Sequence, residues 1–268
     1  MHRFIAIIIL LLLSTHATAD GCPRIISQSP YITHSLQWLG LDQCIVGVSR
    51  YDKLDRPHTG GVLDPDVAMI AALKPDLLLT SDWTSEEKLL AATPAHTRSL
   101  RLKGFASMTE VEDNLRLIGR EVGIHDIEAR VDDFATQWRA LAAQINGNNR
   151  RVLLLSSCSG TPYSFGQRRW LSDIFHQAGF INVETIDTIR HVRPGETIAD
   201  LNALINELEP ELLFIFERSQ SPQCALIQPN TPLRIIQLDG DKFLQPAPLI
   251  VDGLKALTEM NIPTSTRR

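Results

Sequence analysis

Residues 124–145 constrain the fold of this chain more than any other stretch. Ile124, Ile127, Val131, Phe134, Trp138, Leu141 and Ile145 follow one another at alternating steps of three and four, the spacing that lays apolar side chains along one face of an α-helix. At about 1.5 Å per residue such a helix runs roughly 33 Å, the width of a small domain. It lies mid-chain between two stretches that each alternate strand and helix patterns. A helix in that place reads as a spacer between two α/β lobes that face each other across a cleft. A long packing helix inside one domain would show the same spacing, so the flanking sequence has to decide.

In the first half, β-branched or leucine-rich runs at 24–27, 45–49, 76–80 and 97–102 alternate with helical patterns, and in the second half runs at 151–156, 181–184, 212–216 and 233–238 do the same. This alternation predicts parallel sheets with crossover helices. The expected architecture is α/β: two lobes with mostly parallel sheets bridged by a single long α-helix. Residues 20–123 form one lobe, 124–146 the bridging helix and 147–268 the other lobe. The halves also match residue by residue, since the stretch from Asp66 to Leu79 (DVAMIAALKPDLLL) resembles the stretch that starts at Asp200 (DLNALINELEPELL). In both, a helix stops at a proline and a strand begins, although helix-proline-acid-strand is also a common junction. Asp64 before Pro65 predicts a helix N-cap, and Ser107 with Glu110 predicts a capping box that opens a helix ended by Gly123. Thr197 and Asp200 repeat that form in the second half.

The N-terminus carries Arg3, an unbroken apolar run at 4–13 and the small-residue signature Ala17-Thr18-Ala19. Half the length needed to span a bilayer, this run reads as a secretory signal peptide over residues 1–19, cut after Ala19. Cys22 is close enough to that cut to raise lipidation, but Asp20 fits the required motif poorly. Losing the leader takes one arginine from the 26 basic residues and none of the 31 acidic ones, which leaves a mature net charge of −6. Bulk charge of that sign argues against nucleic acid and anionic membrane as partners, and no later segment is long and apolar enough to span a bilayer.

Four cysteines in an exported chain point to disulfides. Three pairings are possible. Cys22 and Cys44 each precede an expected strand, and neighbouring parallel strands would bring those starts together; Cys158 and Cys224 each follow a strand in the second half. The expected bridges are therefore Cys22 with Cys44 and Cys158 with Cys224, worth about 3–4 kcal/mol each in the loop-entropy account. No C-x-x-C or histidine cluster accompanies them to favour zinc.

An ordered series of short tags then carries a resemblance over nearly all of the mature chain: Arg24-Ile-Ile-Ser-Gln-Ser-Pro30, Leu39-Gly40, Val46-Gly-Val-Ser-Arg-Tyr51, Gly60-Gly61, Ala72-Leu-Lys-Pro-Asp-Leu-Leu-Leu79, Pro246 and Val251-Asp-Gly-Leu-Lys-Ala-Leu257. The chain resembles the periplasmic solute-binding proteins for iron chelates and cobalamin. That resemblance implies a small-molecule metal chelate as ligand, held between lobes that close little, and delivery to an inner-membrane ABC permease. The chelate would be cargo of a monomeric periplasmic receptor with no cofactor and no catalysis. Ferric siderophore or haem iron leads, and cobalamin follows. Related cobalamin binders carry a tryptophan where this chain has Arg190-His191-Val192-Arg193-Pro194, a departure that favours an anionic ligand over a corrinoid.

Ligands of open parallel sheets collect beyond the carboxyl ends of the strands. There the first half offers Tyr31, Arg50, Tyr51 and Trp83, and the second offers Tyr163, Arg190, His191, Arg193, Arg218 and Phe243. Aromatic faces cover flat apolar surface and arginines fork oxygen anions, so this set suits a tetrapyrrole-like ring or a carboxylate or catecholate chelate. Trp170 is expected in the core. In related binders one surface carboxylate per lobe meets arginines of the permease, and the matching positions here are Ala68 and Ala203. Asp64 or Asp66 and Glu196 or Asp200 are the substitutes expected to dock; the same four acids would also favour helix N-termini.

Three rivals remain. Ser156-Ser-Cys-Ser-Gly160 follows a strand as a nucleophile turn would, but lacks the G-x-S-x-G form and assignable partners. His34, His58 and His191 could serve a direct divalent-metal receptor. The alanines at the docking positions would also suit a sensor or adaptor that kept the binding fold without transport.

Overall fold

The computed structural model describes residues 21–158, 160–218, 227–260 and 262. The expected leader, residues 1–19, lies outside the described residues. The strand-forming runs of the first half become β1 (Ile25–Ser27), β2 (Ile45–Val48), β3 (Leu77–Ser81) and β4 (Arg98–Leu102). All pair in parallel, in the order β2-β1-β3-β4. Around them lie α1 (Pro30–Trp38), α2 (Val67–Leu73), α3 (Glu86–Ala92) and α4 (Met108–Glu121).

The mid-chain helix is α5 (Ile127–Ala143), shorter than expected at both ends. Ile124 sits in the turn that follows Gly123, which has a φ of +81° and ends α4 as the sequence predicts. On α5, Ile127, Val131, Phe134, Trp138 and Ala142 are buried. The helix packs on α4 of the first half and on α6 (Trp170–Gln177) and α9 (Ile250–Thr258) of the second. Trp138 Nε1 donates to Glu112 on α4 at 2.9 Å. The strand-bearing halves therefore form separate sheets that share one hydrophobic cluster along this helix. It is a packed seam as well as a spacer.

The second sheet is built on β5 (Arg151–Ser156), which pairs in parallel with β7 (Ile181–Asn182) and β9 (Leu212–Glu217), while β10 (Arg234–Asp239) pairs with β9. Along β7-β5-β9-β10 the order is that of the first sheet. The sequence does not predict β6 (Tyr163–Phe165) or β8 (Ile189–His191), which pair antiparallel with each other and extend the sheet from the carboxyl end of β5. Two further helices, α7 (Leu201–Leu208) and the short α8 (Gly240–Phe243), complete this half.

The internal repeat extends to individual hydrogen bonds. Asp66 caps α2 by accepting from the Met69 amide, and Asp200 caps α7 by accepting from the Ala203 amide. The caps are thus Asp66 and Asp200, not Asp64 and Thr197, because each helix starts one residue after its aspartate. Both helices end on a non-glycine residue in the left-handed region, Lys74 (φ 45°) and Glu209 (φ 47°), immediately before the junction proline. The exposed carbonyls there are collected by the arginine that opens the central strand: Arg24 donates to Leu73 O and Lys74 O, and Arg151 to Leu208 O and Glu209 O. The same arginines place their amides on the acid after the proline, Arg24 N on Asp76 and Arg151 N on Glu211.

Ser107 caps α4 by accepting from the Glu110 amide, and Glu110 reaches back to the Ala106 amide. Cys22 and Cys44 form a disulfide with Cα atoms 5.5 Å apart. Cys158 is also disulfide-bonded; its expected partner Cys224 lies outside the described residues. Among the described residues no helix is long and apolar enough to cross a membrane.

Candidate functional site

Helix α1 turns one face to the gap between the two sheets. Pro30, Thr33, His34 and Gln37 recur at helical spacing on that face, while Ile32 and Leu36 face the core. Opposite them the chain leaves β9 at Arg218 and enters α8 at Asp241. The loop after β2 closes the side with Tyr51, Asp52 and Lys53. Together they enclose a cavity of about 360 Å³ at the carboxyl ends of strands from both sheets, within the range of about 300–1,000 Å³ usual for small-molecule clefts. A neighbouring cavity of about 330 Å³ shares His34 and Gln37 and opens between α1, α5 and α9. The cleft is therefore open along its α1–α9 side, whereas Phe105 meets Trp170 edge-on at 5.6 Å on the other side.

The charges in the cavity are arranged across it. Lys53 Nζ lies 3.4 Å from the Asp241 carboxylate, and Arg218 Nε lies 3.4 Å from the same group. Burial pushes the His34 imidazole below its ordinary value, and the nearby Arg218 and Lys53 cations act in the same direction. Burial raises the Asp52 carboxyl, against hydrogen bonds from Ser49 and Thr33. Near neutral pH the cavity thus presents a neutral imidazole, two cations that share the Asp241 carboxylate, the Asp52 carboxyl and the face of an exposed tyrosine.

The residues expected in the site divide. Tyr51 (61% exposed) and Arg218 line the cavity. Trp83 (55% exposed) stands at the β3–β4 end, stacked on Phe105 with centroids 4.7 Å apart and planes 18° from parallel. Arg101 braces that loop by donating to Asp82 O and Thr84 O. Arg50 is exposed and pairs with Asp64 at 2.7 Å rather than lining the cavity. Arg193 is committed to Glu196 at 2.9 Å, and His191 lies on the outer strand β8.

Four expectations are corrected by burial. Tyr31 is enclosed, donates its hydroxyl to Leu102 O at 3.0 Å and has its phenol pushed well above the ordinary range by desolvation. Phe243 packs inside against Phe216. Tyr163 belongs to β6, with its ring against Phe165, because a hairpin forms where a loop was expected. Arg190 bridges to the fully buried Glu184 at 2.7 Å. There burial opposes ionisation of Glu184, but hydrogen bonds from Arg190 and Ser164 outweigh it and hold the carboxyl below its ordinary value. Trp170 is in the core as expected and donates to Phe243 O.

Sequence reasoning missed Asp52 and Lys53, which line the cavity directly after Tyr51; Asp241 lies just after strand β10, where ligands are expected, and His34, considered only as a ligand of a free metal, lines the cavity from α1. Asp64 and Glu196 are exposed but ion-paired, while Asp66 and Asp200 are exposed and serve as caps; Ala68 and Ala203 are exposed in the first turns of α2 and α7. Ser156 and Ser157 are buried, with Ser156 Oγ donating to Phe216 O, and Ser159 lies outside the described residues. Among the described residues no group of three His, Cys, Asp or Glu side chains could hold a metal ion.

A family model described as periplasmic binding protein matches residues 29–222. No curated protein matches. Among solved structures, the fold is similar to the periplasmic haem-binding protein RhuT of Roseiflexus sp. RS-1, at 19% identity and a TM-score of 0.70 over 89% of this chain and 97% of that one. It is similar to the periplasmic vitamin B12-binding protein BtuF of Vibrio cholerae, at 18% identity and 0.66 over 88% and 95%. It is also similar to the catecholate-siderophore-binding protein VctP of the same organism, at 17% identity and 0.65 over 88% and 94%.

Proposed function

This chain belongs to the periplasmic binding protein family, and on that premise we propose that it is an extracytoplasmic receptor that captures a metal chelate between its sheets and delivers it to an inner-membrane ABC importer. The chelate is cargo, and the receptor does no chemistry on it. The observation that carries this reading is the cavity lined by Tyr51, Lys53, His34 and Arg218 at the carboxyl ends of both sheets. The exposed faces of Tyr51 and Trp83 suit flat apolar ligand surface, and the cations suit oxygen anions. A ferric siderophore or haem fits that lining better than a neutral corrinoid. The leader directs the chain to the periplasm, where it acts as a monomer, and exposed acids near the starts of α2 and α7, Asp64 and Glu196 among them, meet the permease.

The test is a fluorescence titration of the mature chain with haemin, ferric catecholate and ferric citrate complexes, cyanocobalamin and free divalent metals. Saturable quenching by an iron chelate, weakened about ten-fold or more in Tyr51→Ala, is the expected result. Saturation by a divalent metal alone would replace the reading with direct metal capture, and no response to any ligand would remove it.

A further inference from the structure

Across the cleft a carboxylate already occupies the place where an anionic ligand would meet the cations. Asp241 enters from the second half, Lys53 from the first, and Arg218 from the end of β9. Among the described residues, Lys53–Asp241 is the ion pair that joins residues before α5 to residues after it.

The geometry of these contacts is loose. Lys53 Nζ is 3.4 Å from each Asp241 oxygen, and the Arg218 contact is also 3.4 Å. Charge-assisted hydrogen bonds close to about 2.7–2.9 Å, as the Arg50–Asp64 and Arg193–Glu196 pairs do at 2.7 and 2.9 Å. Arg218 Nε is buried and has no hydrogen-bond partner among the described residues. One carboxylate thus serves two cations and fully satisfies neither. Exposed pairs of this kind contribute little, about 0–1 kcal/mol, and a buried donor left without a bond favours any anion that can reach it.

We propose that Asp241 is an internal stand-in for the ligand's anion: it neutralises Lys53 and Arg218 while the cleft is empty and is displaced when an anionic chelate binds. This rests on the chelate-receptor reading and deepens it, because displacement selects for ligands that bring their own carboxylate or catecholate charge. A neutral corrinoid would have to leave the Asp241 contacts in place or bury cations without replacing their counter-charge.

The test uses the full mature chain and Asp241→Asn, with Asp241→Ala as a second variant, circular dichroism as the check of fold, and metal-free citrate, ferric citrate, haemin and cyanocobalamin as probes. Calorimetric titration is expected to give about ten-fold tighter binding of citrate and of ferric citrate or haemin to both variants. Adding Lys53→Met should reduce that gain, leaving the part due to Arg218, and cyanocobalamin should not share it. Unchanged anion affinity in both variants, or an equal gain for cyanocobalamin, would overturn the assignment. A citrate gain with no chelate bound by any variant would leave the stand-in intact and end the chelate reading; chelate binding indifferent to Asp241 would do the reverse.

Discussion

Glu184 and His34 show how single side chains set the chemistry of their surroundings. Glu184 has no exposed side-chain surface and accepts from Arg190 and Ser164, so Glu184→Ala strands a largely buried guanidinium. The expected loss is about 3 kcal/mol in urea unfolding. Its folded carboxyl lies below 4.5, so the stabilisation is complete above that value and is lost as pH falls through the lower folded value. Urea midpoints of the parent should therefore decline below pH 4.5 more steeply than those of the variant. His34 has the same sign, at a higher pH, although here burial disfavours the charged form. With its folded value below 6.5, protonation favours the unfolded chain, and its contribution to stability falls as pH drops through 6.5. Proton NMR should find its midpoint below 6.5, shifted upward in Lys53→Met because a like charge is removed.

Elements are held by a few decisive contacts. At Gly119 a Cβ would meet Ile127 at the crossing of α4 and α5, so Gly119→Ala forces that seam apart and should cost about 1–3 kcal/mol by thermal unfolding. Cys22 and Cys44 are 22 residues apart, and Cys22→Ser with Cys44→Ser should remove about 3 kcal/mol. Strands β1, β2 and β3 were legible because buried parallel strands are apolar runs bounded by turn residues, whereas β4, Arg-Ser-Leu-Arg-Leu at the sheet edge, shows the alternation of a half-exposed strand. The antiparallel pair of β6 and β8 was not, since Tyr-Ser-Phe and Ile-Arg-His are too short to show alternation. The cleft face of helix α1 escapes notice for a related reason. Its cleft face is Pro, Thr, His and Gln, polar positions that hydrophobic periodicity passes over. The aromatic residues drew notice in the sequence, but Tyr31 and Phe243 belong to the core, where residue type alone cannot separate a packed ring from one that receives a ligand. The caps at Asp66 and Asp200 lay within the quoted repeat, yet their role needed the helix starts, which propensity places only to within a residue or two.

At the scale of the molecule, the two sheets share a strand order and a hydrogen-bonded junction, but their helices pour side chains into one cluster along α5. Calorimetry should accordingly give a single unfolding transition rather than one per sheet, and two resolved peaks would show that the seam does not couple them. The same seam bears on what happens when the chain is cut. Between α5 and β5 run Asn146, Asn148 and Asn149, all exposed and with φ near +53°. A protease nick there would sever the covalent thread yet leave the apolar face of α5 sandwiched between both halves. The two fragments should travel together as one particle, and, made separately, each should find its complement.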